Sequence, residues 1–256
     1  MRVNNIRLAS IVGAVYLFLY LPILVLIVFS FNDGISSYEW RGFTLRWYHE
    51  LILNSEIWSV LRNSLIVAFS ATVLSLILGT MVVYGLQQKL DRMVQFFYLP
   101  ILVPEIVLSV GFLYLFSFLR IPMGLPTLIA AHTLLGLAFV VPLVHARFAE
   151  MDKNLVEASL DLGASQWQTF AKVVVPFLAP ALFSAGLLAW IISFDDFLIS
   201  FFCAGSSSQT LPLYLYAKIR VGMSPLINVL SAVTLFSSCG LVVIYSYMRS
   251  KTEDLI

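Results

Sequence analysis

VEASLDLGASQWQTFAKVVVPF occupies residues 156–177 and lies between two long apolar runs. It carries Glu157, Asp161 and Lys172, with Gly163 near its middle. In a chain that is 60% hydrophobic, so polar a stretch answers to something other than lipid. Asn154 followed three residues later by Glu157 fits a capping box, and Ser165 followed by Gln168 fits a second. Gly163 suits the left-handed turn that ends a helix. Pro176 and Pro180 mark the entry to the next apolar run. The segment is therefore expected to fold as helix, glycine, helix. Leu155, Val156, Ser159, Leu160 and Leu162 fall near one face of the first helix, and Trp167, Phe170, Ala171 and Val174 near one face of the second. Two short helices with apolar edges suit the docking of another protein. The plainer alternative is a re-entry loop in which Glu157 only caps a helix.

The rest of the chain sets the surroundings of this elbow. It has 256 residues, a mean hydropathy of +0.94 and 11% charged residues. Soluble domains carry about 25% charged residues, so the composition is that of an integral membrane protein. Six apolar runs, roughly 9–31, 63–86, 94–118, 126–146, 178–202 and 226–248, each reach the ~20 residues a helix needs to cross a bilayer. The first follows Arg2 and Arg7, but it is too long for a signal-peptide core, and no small-residue cleavage site follows it. Helices are expected, because backbone polar groups in lipid must be satisfied within the segment. Period-two alternation, the mark of a barrel, is absent. The fold class read from this is an all-α membrane protein with six spans in one domain over 1–256, and with no internal repeat.

Basic residues orient it. With the N-terminus inside, the inner side holds Arg2, Arg7, Lys89, Arg92, Arg147, Lys153, Lys172, Arg249 and Lys251. The outer side holds Arg41, Arg46, Arg62, Arg120, Lys218 and Arg220. Nine against six follows the positive-inside rule and puts both termini and the elbow in the cytoplasm. A net charge of +1 leaves no footprint for nucleic acid. Cys203 and Cys239 have no metal or redox spacing and read as small hydrophobes. His132 and His145, 13 residues apart on the fourth run, are not spaced as metal ligands, and bonding within the bundle is the expectation for each.

Acids inside apolar runs carry the substrate argument. Asp195 and Asp196 lie in SFDDFLISFF, about 25 Å along the fifth run at ~1.5 Å per residue. Glu105 lies near the middle of the third run, after Pro100 and Pro104, which weaken the helix ladder. A carboxylate facing lipid at the bilayer centre costs about 2.5–3.5 kcal/mol, which a wet cavity mostly avoids. No Lys or Arg lies at comparable depth. Glu105, Asp195 and Asp196 are thus candidates to line a passage for a cation, with Trp47 and Trp190 as aromatic partners for ammonium groups and methylenes. The competing reading is that the acids cap neighbouring spans or bond nearby side chains.

The elbow resembles the EAA loop of ATP-binding-cassette importer permeases, in which E-A-A is followed after three residues by G and after nine more by I-x-L-P. Here Glu157, Ala158 and Ser159 open it, Gly163 is the glycine, and VVVP ending at Pro176 closes it. GFTLRWY (42–48), LDLGAS (160–165), SFDDFLISFF (193–202) and LPLYLYAKIRVGMSP (211–225) resemble one branch of that family, the second permease subunit of spermidine/putrescine importers. The resemblance implies the type I importer permease fold, with residues 154–176 as a cytoplasmic coupling loop in a groove of the ATPase. It also implies a bacterial inner-membrane location, a polyamine substrate, and Trp47 and Tyr48 in a family motif. The implied partners are a second permease, two copies of an ATPase and an external binding protein. The chain has no G-x-x-x-x-G-K-[ST], so ATP and Mg are expected on the ATPase and no cofactor in this chain. Two other classes stay open on the residues alone. One is an ion-coupled secondary transporter or channel for a small organic cation; the other is an intramembrane enzyme pairing acids from two helices.

Overall fold

The computed structural model describes residues 2–34, 39–86, 90–222 and 224–237. It is all-helical apart from one isolated antiparallel bridge, Asn32 with Phe43, among those residues. Helix α1 is Arg2–Phe29, α2 Arg46–Leu53, α3 Ser55–Leu86, α4 Leu90–Phe97, α5 Leu99–Leu102 and α6 Glu105–Phe118. Then come α7, Leu125–Ala149, α8, Lys153–Asp161, α9, Gln166–Thr169, and a π-turn, Phe170–Val174, leading into α10, Val175–Asp195. α11 is Leu198–Cys203, α12 Leu211–Val221 and α13 Pro225–Ser237. Four stretches are long and apolar enough to cross a membrane: Leu8–Phe29, Ser55–Leu86, Leu125–Ala149 and Gln166–Asp195. α6 and α13 are shorter apolar helices, so six crossings remain the natural count. The second half of the run 226–248, with Cys239 and the charges Lys89, Arg249 and Lys251, lies outside the described residues.

Several boundaries differ from those expected, for identifiable reasons. The third run is not one helix. Pro104, with ψ 130, separates α5 from α6, because a proline ring disfavours helical backbone in the residue before it. The fifth run ends early: Asp196, with ψ 127, breaks the chain between α10 and α11. At its other end α10 continues back through the π-turn into α9. Pro176 has no N–H to donate, and the ladder absorbs the mismatch by wide pairing in which the Val175 N–H donates to the Phe170 carbonyl. Between the fifth and sixth runs the chain forms a further helix, α12, and α3 begins at Ser55 rather than near 63.

The chain divides into two compact units, Met1–Ile57 with Leu215–Ile256, and Trp58–Tyr214. In the first, Leu8–Phe29 exposes nearly all of its apolar side chains, as a lipid-facing helix does. After α1 the chain is knotted by Asn32. Its side-chain oxygen accepts from the N–H groups of Gly34 and Arg41 at 3.2 and 2.8 Å, and its amide donates to the Glu39 carbonyl at 2.6 Å.

The second unit holds the core. One apolar cluster joins Val83 of α3, Val140, Val141 and Val144 of α7, Val174 of the π-turn, and Leu178, Ala185 and Ala189 of α10. A second joins Val67, Phe112, Phe116, Leu128, Ala131, Leu135, Ile199 and Cys203 from α3, α6, α7 and α11. The α3–α7 crossing is close because Gly136 has no side chain: a Cβ there would collide with the Ser75 hydroxyl, which instead donates to the Thr133 carbonyl at 3.0 Å.

Candidate functional site: a coupling elbow and a carboxyl cluster

The elbow forms as helix, glycine, helix. Gly163 has φ +86, and its N–H donates to the Leu160 carbonyl at 2.9 Å while that of Ala164 donates to Ser159 at 3.1 Å. This pair of bonds is the Schellman closure, which needs a left-handed residue and so favours glycine. The Ser165 box is complete: its hydroxyl accepts from the Gln168 N–H at 3.2 Å and the Gln168 side chain accepts from the Ser165 N–H at 2.8 Å. The first cap differs from expectation. Asp152, not Asn154, opens α8, its carboxylate accepting from the Asn154 N–H at 3.0 Å. Aspartate two residues upstream takes the N-cap role, because its carboxylate is among the best acceptors for first-turn N–H groups. Glu157 is left exposed on α8, with Ala158 beside it also exposed.

α8 is held against α9 by the Ser159 hydroxyl, 3.0 Å from that of the buried Thr169. Val156 and Phe170 turn inward onto the first apolar cluster, and Phe170 packs on Tyr84, ring centroids 4.9 Å apart. Val174 is buried in the same cluster, but several other apolar residues of the elbow face away. Leu155, Leu160, Leu162 and Trp167 are exposed, Leu162 at 89% and Trp167 at 67%. Pro176 sits in the first turn of α10, also exposed. An elbow fixed from beneath and greasy on top is built to be covered.

The carboxyl cluster lies at the far end of α10 from the elbow. Asp195 and Asp196 part company there. Asp195, the last residue of the helix, is exposed; Asp196, at the break, is 5% exposed. The Asp196 carboxylate accepts from the N–H groups of Ser200 at 2.9 Å and Ile199 at 3.4 Å in the first turn of α11. Its other neighbour is His132 of α7, whose Nε2 lies 3.5 Å from Oδ2. The ring's Nδ1 is 2.9 Å from the Ser193 hydroxyl in the last turn of α10. Glu105, in the first turn of α6 just past Pro104, stands close enough to Asp196 for the two carboxyl groups to interact, α6 and α11 being packed against each other. Two interrupted helices, α6 and α11, thus begin beside one another, and each start carries a carboxyl group. Helix starts stabilise such charge, and broken helices at membrane depth are tolerated where they line a cavity.

Sequence spacing did not reveal His132 or Ser193 as members of this group. A histidine inside an apolar run signalled only some internal hydrogen bond; the partner is 64 residues away. The two tryptophans fall elsewhere. Trp47 is buried, and its indole N–H donates to the Asn32 carbonyl at 2.9 Å, with the Arg46 guanidinium 4.9 Å from the ring centroid. Trp190 is half-buried and stacks on Phe194, centroids 6.3 Å apart.

The family whose sequence pattern fits this chain is described as "Binding-protein-dependent transport system inner membrane component", matching residues 73–250. The chain belongs to that family. It is 35% identical over 246 residues to the spermidine/putrescine transport system permease protein PotC of Escherichia coli K12, covering 94% of this chain and 93% of that protein. The PotC of Haemophilus influenzae is 32% identical, covering 93% of this chain and 95% of the relative. The putrescine transport system permease protein PotI of Escherichia coli K12 is 31% identical, covering 93% and 89%. Among solved structures, a bacterial ABC transporter involved in the import of alginate matches with a TM-score of 0.75 over 97% of this chain and 96% of its own, at 18% identity. The MetNI methionine transporter matches with a TM-score of 0.56 over 80% and 96%, also at 18% identity. These last two fix the fold as that of an ABC importer permease. The chain is therefore a multi-pass membrane permease, a non-catalytic subunit, and membership of this family replaces the ion-coupled and enzymatic alternatives.

Proposed function

We propose that this chain is one of two unlike permease subunits of an ATP-driven importer that carries polyamines across a bacterial inner membrane. The observation that carries the reading is the full-length likeness to three permeases named for spermidine or putrescine. The carboxyl cluster supports it: Glu105 and Asp195 are exposed in the described unit, in a bundle with few other charges, and suit the ammonium groups of a flexible polycation. Trp190 is the aromatic residue proposed beside that route; Trp47, in the first unit, is proposed as an aromatic contact for the substrate in its own right.

The elbow 154–176, with Glu157, Ala158, Ser159, Gly163 and Pro176, is the proposed seat of a cytoplasmic ATPase. Two ATPase copies would hold ATP and Mg, a second permease would complete the pathway, and an external binding protein would deliver the ligand. Both termini then lie in the cytoplasm. Closure of the ATPase dimer pulls the elbow, and α10, one rod with α9, passes the motion to the acids at its far end.

The test is uptake of labelled putrescine and spermidine by the whole complex in proteoliposomes loaded with ATP. Glu105→Gln, Asp195→Asn and Asp196→Asn each lower uptake under this reading. Unchanged uptake in all three removes the acids from the route, and a wild-type complex that moves neither polyamine removes the substrate assignment.

A further inference from the structure

The imidazole of His132 has a place in the cluster that the reading above does not use. It is buried to 2% exposure on α7 between the apolar Leu128, Ala131 and Leu135, where an imidazole is costly unless its nitrogens are engaged. The two nitrogens reach two sides of one chain break. Nδ1 meets the Ser193 hydroxyl in the last turn of α10, and Nε2 faces Asp196 Oδ2 just past that turn. A carboxylate only accepts, whereas a hydroxyl can donate. With Ser193 donating to Nδ1, the ring proton sits on Nε2, on the side of Asp196, where Nε2 lies 3.5 Å from Oδ2 without a hydrogen bond of its own. Ser193, His132 and Asp196 are the residue types of a hydrolase triad, but Ser193 is 8% exposed within a packed bundle and offers no substrate access.

We infer that His132 is a positioning residue for transport: it pins the α10–α11 break and so holds the Asp196 carboxylate against Glu105. Asp196 has little freedom of its own, since its oxygens already take two N–H groups of α11. α7 already holds α11 by apolar packing and by the Thr127 hydroxyl, which donates to the Cys203 carbonyl at 3.0 Å at the far end of that helix. The His132 ring is the polar contact from α7 at the near end, where the acid sits. Losing it leaves the carboxylate bonded to α11 but lets the start of α11 and the acid move together relative to Glu105.

The inference rests on the proposed transport role of the acids, so its test separates the two. Glutamine places an amide where Nε2 lies, asparagine where Nδ1 lies, and leucine fills the volume with neither. In the complete complex in proteoliposomes, His132→Gln is expected to transport putrescine or spermidine close to wild type. His132→Asn and His132→Leu are expected to lose about tenfold or more in Vmax, the scale of one lost buried polar contact, with KM little changed. A role in packing alone predicts the opposite order, with leucine tolerated and glutamine no better than asparagine, and that result overturns the inference. Should His132→Leu fail to assemble, the contrast between glutamine and asparagine still decides.

A second measurement needs no transport. Labelling of an Asp195→Cys variant by a cationic methanethiosulfonate reports the geometry of the break directly. Its rate is expected to stay put when His132→Gln is added and to change when His132→Asn is added; equal rates in both overturn the inference. A wild-type complex that carries no polyamine defeats the proposed substrate and leaves the labelling result to stand or fall alone.

Discussion

The elbow and the carboxyl cluster sit at opposite ends of α10 and are built in opposite ways. The elbow is local: 23 consecutive residues, 154–176, supply its glycine closure, its capping box and most of its apolar surface. Its outer face is apolar and open. The cluster is assembled from four helices whose residues span 105 to 200, and its most constrained members, His132 and Asp196, are polar and shut away. One region makes few internal contacts and leaves apolar side chains exposed. The other buries most of its polar groups, and of its acids only Glu105 and Asp195 remain exposed. Stability should therefore answer strongly to substitutions in the cluster and weakly on the outer face of the elbow, while partner binding should do the reverse.

The largest effect is expected at Asp196. Asp196→Ala removes two N–H acceptors and the partner of His132, and the purified permease should lose about 2–3 kcal/mol, the scale of a lost cap and a buried charge-assisted bond. A thermal shift no larger than that of an exposed site would erase the contrast. Next is Gly163→Val. Its φ of +86 costs a β-branched residue about 1–2 kcal/mol, although the space around the Cβ is open. Uptake per ATP hydrolysed should fall more than total hydrolysis, and Gly163→Asn should lose less, because asparagine tolerates that conformation. Ser165→Ala comes third, at about 1 kcal/mol for one side of a capping box. Hydrogen exchange at Gln168 and Thr169 would show it before any global melting curve. The smallest change in stability belongs to Trp167→Ala, since the ring is mostly exposed. There the effect moves to association. Co-purification of the ATPase should drop steeply while the melting temperature stays within the error of the measurement. A large loss of stability at Trp167 with the ATPase still bound would reverse the assignment of the two regions.

The same contrast explains what could be read from the residues in advance. The elbow was legible because its signals are short-range: a glycine between two capping patterns, with apolar residues at helical spacing. Even there Asp152 displaced Asn154, since two acceptors two residues apart compete for the same N–H groups and sequence alone does not rank them. Four long apolar runs were legible from hydropathy, but the break at Asp196 was not, because SFDDFLISFF is as apolar as a continuing helix apart from the two acids. The acids were visible as charges inside apolar runs. Which of them is exposed depends on where the helix ends, and that is decided by α11 offering its first N–H groups to one carboxylate. His132 was beyond reach for the same reason: its partners belong to a helix 61 to 64 residues downstream.

The π-turn at Phe170–Val174 adds a consequence of its own. The elbow's second helix and the fifth crossing form one rod of 30 residues, from Gln166 to Asp195, about 45 Å from end to end at 1.5 Å per residue. Rewinding those five residues to ordinary helical pitch would turn one end about 100° against the other with no change of side chain. The molecule thus carries, at the root of its greasy seat and ahead of the crossing that leads to its acids, a place where angular phase is stored in winding alone.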